Sequence, residues 1–292
     1  MKSFFKTAGN YLSLVKFSHT VFAMPFALIG FSLAVFTEGS NFSLKLLLLV
    51  ILCMIFARNS AMGFNRIADI RFDALNPRTQ GRELPSGRIT MRSAIIFVSA
   101  NSIFFIIATG FINRLTLFLS PVALIVILGY SLTKRFTWIC HFVLGLGLSL
   151  APVGAYISVT GSFALLPVIY SLVVITWVSG FDIIYALQDD EFDRVHSLKS
   201  LPSRAGRRNA IIVSIAVHII TFAMVISAGI IGNGGYLYWT GASVFSILLI
   251  YQHFIVRHDD LSRVNLAFGT TNGIASIIFA FFVILDLVLR NK

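Results

Sequence analysis

The chain has 292 residues, 57% of them hydrophobic and 12% charged, with 28 phenylalanines and a formal net charge of +11. A water-soluble domain carries roughly a quarter charged residues and would aggregate with this much apolar surface exposed, so an ordinary soluble fold is excluded. The basic residues lie between apolar stretches instead of forming one continuous patch, which argues for a lipid bilayer and against nucleic acid as the partner.

A helix needs about 20 apolar residues to cross a bilayer core. Nine stretches are expected to do so: residues 19–36, 44–64, 93–111, 115–132, 137–159, 164–181, 210–231, 236–251 and 266–289. The first follows three lysines, Lys2, Lys6 and Lys16. No small-residue cleavage pattern comes after it, so it reads as a retained span. The short links 160–162 and 232–235 make their flanking helices antiparallel neighbours. The long links 66–92 and 189–208 carry 11 of the 23 Lys and Arg residues, and the positive-inside tendency assigns such links to the cytoplasm. Lys134, Arg135, Arg257 and Arg263 then fall on that same side, consistent with nine spans in a cytoplasmic (inner) membrane and a cytoplasmic N-terminus. Cys53 and Cys140 sit inside apolar stretches and read as small core residues.

Seven of the 12 acids fall in two clusters, each at the end of an apolar stretch. The first runs from Asn65 through Asp69 to Asp73. The second contains Asp182, Tyr185, Asp189, Asp190, Glu191 and Asp193. Residues four apart share a helix face, and carboxylates stacked at that spacing repel one another, so a divalent cation is the natural compensator. Mg2+ takes one or two carboxylates together with water and substrate phosphate, and two ladders of this kind suit ions that bridge a diphosphate. The bland alternative is two solvated helix ends. Four intervening spans return the chain to the same side, so both clusters can share one mouth. Arg78, Arg82 and Lys199 follow the clusters and could supply charge-assisted bonds to an anion, although a purely topological role explains such residues as well. Arg58 lies inside an apolar stretch, seven residues before Asn65 and on its face, where an ionisable group is a functional candidate by default. It either faces a cavity and meets an anionic substrate or snorkels to the interface. His19, His141 and His218 lack metal-ligand spacing and read as packing residues.

With these motifs in place, the chain resembles the UbiA superfamily of intramembrane prenyltransferases. Asn65-x-x-x-Asp69-x-x-x-Asp73 matches one family signature, Asp189-x-x-x-Asp193 with Tyr185 before it matches the other, and the Arg82-x-Leu-Pro-x-Gly turn fits as well. The resemblance covers the whole chain. It implies an all-α membrane protein, a single domain over residues 1–292 with nine transmembrane helices around a central cavity and two cytoplasmic cap loops. It also implies Mg2+ and diphosphate held by Asn65, Asp69, Asp73, Asp189 and Asp193, with Arg66 among the neighbours that bind substrate. The runs 15–30, 76–79 and 134–138 are most like the 4-hydroxybenzoate polyprenyltransferase-like group, many of whose members serve quinone synthesis. The expected reaction joins a polyprenyl diphosphate to an aromatic acceptor, with Asp182 or Tyr185 as candidates for handling the ring proton. Dihydroxynaphthoate is an alternative acceptor, and a membrane transporter is the non-enzyme alternative.

Overall fold

The computed structural model describes residues 9–15 and 22–290. Lipid offers no hydrogen-bond partners, so backbone groups in the apolar stretches must be satisfied within each segment. Among the described residues all regular structure is helical: α1 (Met24–Thr37), α2 (Leu44–Ala68), α3 (Ile70–Leu75), α4 (Met91–Gly110), α5 (Arg114–Thr133), α6 (Cys140–Thr160), α7 (Leu165–Ala186), α8 (Asp190–Val195), α9 (Leu201–Ala205), α10 (Arg207–Ile231), α11 (Tyr236–Ile255) and α12 (Asn272–Arg290). A 3-10 turn, Leu187–Asp189, joins α7 to α8, and a π-helical turn, Leu266–Thr271, leads into α12.

The ends follow from local chemistry. Ser43 Oγ accepts the Leu46 N–H at 3.3 Å, opening α2. Asn113 and Thr116 form a reciprocal capping box at α5. Gly161 closes α6 at φ 68°, where a Cβ would be strained.

Nine of these helices occupy the nine predicted stretches, and seven helical stretches are long and apolar enough to cross a membrane. The remaining two are α1, which has only 14 residues, and α11, which carries Gln252 and His253 in its last turn. His19 and part of the first predicted span lie outside the described residues.

The bundle has one solid half and one hollow half. In the solid half, α1, α7, α10, α11 and α12 pack around Trp177, which is fully buried against Phe26, Phe181 and Phe245. Most buried polar groups here are paired, as low dielectric demands. Trp177 Nε1 donates to Asn272 Oδ1 at 2.9 Å, and Asn272 Nδ2 donates to Gln252 Oε1 at 3.0 Å. His218 Nε2 donates to the Trp177 carbonyl at 3.1 Å, so His218 does more than fill space. Helix backbones also touch directly: a Cβ on Gly30 of α1 would lie 2.0 Å from the Pro152 carbonyl oxygen of α6, the close approach that small residues permit between membrane helices. In the hollow half, α2, α4, α5, α6 and α7 surround a cavity.

Candidate active site

That cavity has a volume of about 660 Å³. Its lining along α5 reaches from Thr116 to Ser131 and on to Lys134, roughly 27 Å at the helical rise of 1.5 Å per residue. The far end and middle are mostly apolar, with the hydroxyl residues Thr109, Thr116, Ser120 and Ser158 at the far end and Arg58 partway along. The other charged groups gather at the opposite end, where α2 and α7 stop.

Both aspartate clusters sit at that mouth, each on a kink. Asp69 ends α2 with φ −95°, ψ 7°, and Asp189 precedes α8 with φ −112°, ψ 6°. Both angles lie near the bridge region where many active-site residues are found. The expected continuous helical ladders are therefore interrupted at their first aspartates, consistent with the repulsion between carboxylates four apart. The spacing nevertheless carries across the first kink, since the Asp69 N–H donates to Asn65 O at 3.0 Å and the Asp73 N–H to Asp69 O at 2.8 Å.

The segment after α3 ties the clusters together. Arg78 grips the Asp189 carboxylate with two nitrogens, Nε donating to Oδ1 at 2.9 Å, while Nη1 donates to the Tyr185 hydroxyl at 3.0 Å. Asn76 Nδ2 adds a bond to Asp189 Oδ1 at 3.0 Å. Burial works against the charge on Arg78, but the bonds to Asp189 outweigh it and raise its pKa. The turn is shaped by the Arg78 N–H donating to Asn76 Oδ1 at 2.9 Å and by Gly87 at φ 73°.

Each remaining aspartate also faces a base. Arg82 Nη1 lies 2.7 and 2.9 Å from the two oxygens of buried Asp73. Lys134 Nζ lies 2.7 Å from Asp193 Oδ1, and Ser200 Oγ donates to Asp193 Oδ2 at 2.7 Å. Arg135 stands 3.9 Å from Asp69. Asn65 Nδ2 donates to Asp69 Oδ2 at 3.0 Å, and Arg66 Nη1 to Asn65 Oδ1 at 3.2 Å. Burial, and next the Asp73 carboxylate, push Asp69 up to about 6.

Of the sequence candidates, Arg58, Asn65, Arg66, Asp69, Asp73, Arg78, Arg82, Asp182, Tyr185, Asp189 and Asp193 all line this one cavity. Arg58 lies two turns deeper along α2 than Asn65. Lys199 is not among the lining residues: it is exposed, and its ammonium donates to the Phe136 carbonyl at 3.2 Å. Asp190 and Glu191 turn away from the mouth toward Arg207, with Asp190 Oδ1 2.8 Å from Nη2. Sequence reasoning assigned Lys134 to topology and His141 to packing, yet both reach the site. Lys134 is 59 residues from Asp193 in sequence, and no local spacing could join them.

The donor set is all oxygen, which suits a hard divalent cation such as Mg2+. Among the described residues no three acids or histidines converge on one point, and each carboxylate of the two motifs faces a base. The raised Asp69 and the Arg66 Nε, which has no hydrogen-bond partner among the described residues, mark a cradle where a cation and an anion arriving together would relieve both. The residues fit that group.

The model of the UbiA prenyltransferase family matches residues 23–283. The chain belongs to that family. It is a multi-pass membrane prenyltransferase, which sets aside the transporter alternative. The 4-hydroxybenzoate octaprenyltransferase of Vibrio parahaemolyticus is 29% identical over 238 residues, 81% of this chain and 83% of that protein. Among solved structures, the apo UbiA homolog from Aeropyrum pernix K1 superposes with a TM-score of 0.79 at 27% identity, covering 93% of this chain and 98% of the other. A UbiA homolog from Archaeoglobus fulgidus, described as bound to DMAPP and Mg2+, shares the fold at a TM-score of 0.74 and 21% identity, covering 96% and 99% of the two chains.

Proposed function

We propose that this UbiA family member acts as one integral-membrane unit over residues 1–292 and transfers a polyprenyl group from a polyprenyl diphosphate to an aromatic acceptor, 4-hydroxybenzoate or a related quinone precursor, using Mg2+. The observation that carries the reading is the meeting of the two aspartate clusters through Arg78 over one apolar cavity. The relative from Vibrio parahaemolyticus bears the name of that activity, and the Archaeoglobus fulgidus homolog is described with DMAPP, a prenyl diphosphate, and Mg2+.

In this reading Asn65, Asp69, Asp73, Asp189 and Asp193 hold the cation. Bound Mg2+ supplies the charge that neutralises the diphosphate as its C–O bond breaks. Arg66, Arg78, Arg82 and Lys134 bind the diphosphate oxygens. Tyr185 orients Arg78 through its hydroxyl. Arg58, deeper in the cavity, anchors the acceptor's carboxylate. The apolar walls hold the prenyl chain, gaining roughly 0.8 kcal/mol per buried methylene, and exclude water that would quench an allylic cation. The abundance of Lys and Arg at the mouth and in the two long links supports a cytoplasmic orientation for it, in the inner membrane.

The test is to incubate the purified protein with Mg2+, a prenyl diphosphate and a panel of acceptors including 4-hydroxybenzoate and dihydroxynaphthoate, and to read the products by mass spectrometry. A prenylated 4-hydroxybenzoate is expected. Prenylated dihydroxynaphthoate alone would move the acceptor to that alternative, and no Mg2+-dependent release of diphosphate from any donor would overturn the proposal.

A further inference from the structure

One pair on the cavity wall stands outside the set assigned above to the cation and the diphosphate. His141 Nδ1 on α6 lies 2.7 Å from Asp182 Oδ2 on α7, with the two side chains 3% and 21% exposed. The other ring nitrogen, Nε2, accepts the Leu201 backbone N–H at 3.2 Å. A nitrogen that accepts a hydrogen bond carries no proton, so the single proton of a neutral imidazole sits on Nδ1 and is donated to Asp182. Among the described residues no other group hydrogen-bonds to the Asp182 carboxylate, whose side chain lines the cavity.

Depth separates this pair from the aspartates at the mouth. Asp182 precedes Asp189 by four α-helical residues to Ala186 and then a 3-10 turn, roughly 12 Å along the axis. Arg58 is seven residues before Asn65 on α2, roughly 10 Å deeper. α2 and α7 are both packed by α1 and α6. An acceptor ring held by Arg58 would therefore lie at the level of Asp182, below the diphosphate.

We infer that Asp182 is the base that receives the ring proton and that His141 is the positioning residue that aims it; the inference rests on the prenyl-transfer reading above. In the step, a ring carbon ortho to the phenolic hydroxyl forms a C–C bond to the allylic carbon, whose C–O bond breaks with its electron pair leaving on diphosphate. The ring C–H bond then gives its electrons back to the aromatic system, and its proton passes to the ionised Asp182 carboxylate and on to water. A neutral imidazole donating one bond fixes the carboxylate without neutralising it, and positioned proton transfer of this kind contributes about 10²–10⁴-fold in rate. The Leu201 bond fixes the ring tautomer and ties it to the segment that carries Ser200 and, through it, Asp193.

The experiment uses the full chain in detergent or nanodiscs with Mg2+, a prenyl diphosphate, and the acceptor in protonated and ring-deuterated forms. His141→Leu and Asp182→Asn are expected to lower product formation at least tenfold with little change in donor KM, while deprotonation becomes rate-limiting and a ring-deuterium isotope effect larger than wild type emerges. His141→Gln, whose amide can donate to Asp182 and accept from Leu201, should recover much of the rate and suppress the isotope effect. The isosteric Asp182→Asn keeps the test decisive if His141→Leu does not fold. Loss of rate with an unchanged isotope effect in both variants would overturn the assignment. A wild-type protein that releases no diphosphate at all would instead remove the prenyl-transfer reading on which it stands.

Discussion

Replacing Arg82 with Gln probes how the metal-free site is held together. Asp73 is 5% exposed, and both of its oxygens are within 2.9 Å of Arg82 Nη1. Breaking a buried ion pair by removing one partner leaves an uncompensated charge and costs about 3–5 kcal/mol. The Arg82 side chain is 20% exposed, so water reaches this pair and the loss should fall near 2–3 kcal/mol. On a scaling of about 2–4 °C per kcal/mol for larger domains, the thermal midpoint should drop by roughly 4–12 °C. A cation on Asp73 would replace the missing guanidinium charge. Mg2+ should therefore raise the midpoint of Arg82→Gln more than that of wild type, in which it must first displace Arg82. The assay is thermal unfolding in detergent by intrinsic fluorescence, with EDTA and with Mg2+. Equal midpoints for variant and wild type without metal, or an Mg2+ response no larger in the variant, would refute the reasoning.

Asp69→Asn and Asp189→Asn should each reduce turnover more than tenfold, a loss above ~1.4 kcal/mol of transition-state stabilisation, while the purified proteins stay folded by size-exclusion chromatography; retention of more than a tenth of the rate would count against the ladders. Because Asp69 in the metal-free protein titrates near 6, its neutral form grows as pH falls below that value and a cation must then displace a proton. The Mg2+ concentration for half-maximal rate should accordingly rise from pH 7 to pH 5, by up to about tenfold per unit once below 6, and a flat profile would contradict the shift. Gly30→Ala should prevent stable folding or lower the thermal midpoint by more than ~5 °C, since the new Cβ would meet the Pro152 carbonyl at 2.0 Å and overpacking against backbone costs about 1–3 kcal/mol or more.

Hydropathy made the helices legible because lipid forces every apolar stretch into one conformation. Their ends were harder to read. α2 runs on to Ala68 and α7 to Ala186, past the apolar stretches, because the polar residues there face the cavity mouth and need not mark a loop. The aspartate spacing showed that the two clusters match, but it could not show which bases pair with them. Those bases come from distant parts of the chain: Arg78 is 111 residues from Asp189, and Lys134 reaches Asp193 from the end of another helix. His141 read as a packing residue because a metal-site search looks for nearby ligands, whereas its partner Asp182 is 41 residues away. The signal that could have found the pair was simple: two ionisable groups, each within a membrane helix, are seldom idle. Lys199 went the other way, since following a motif in sequence does not turn a side chain toward the cavity.

The most direct test of the account is a structure of the protein with a non-hydrolysable prenyl thiodiphosphate and Mn2+ in place of Mg2+, with the metal located by its anomalous scattering. The account predicts manganese bonded to carboxylates of both clusters, Asp69 or Asp73 on one side and Asp189 or Asp193 on the other, with the diphosphate between them and Arg78 moved onto its oxygens. Manganese on one cluster alone, with Arg78 still clamped on Asp189, would contradict it.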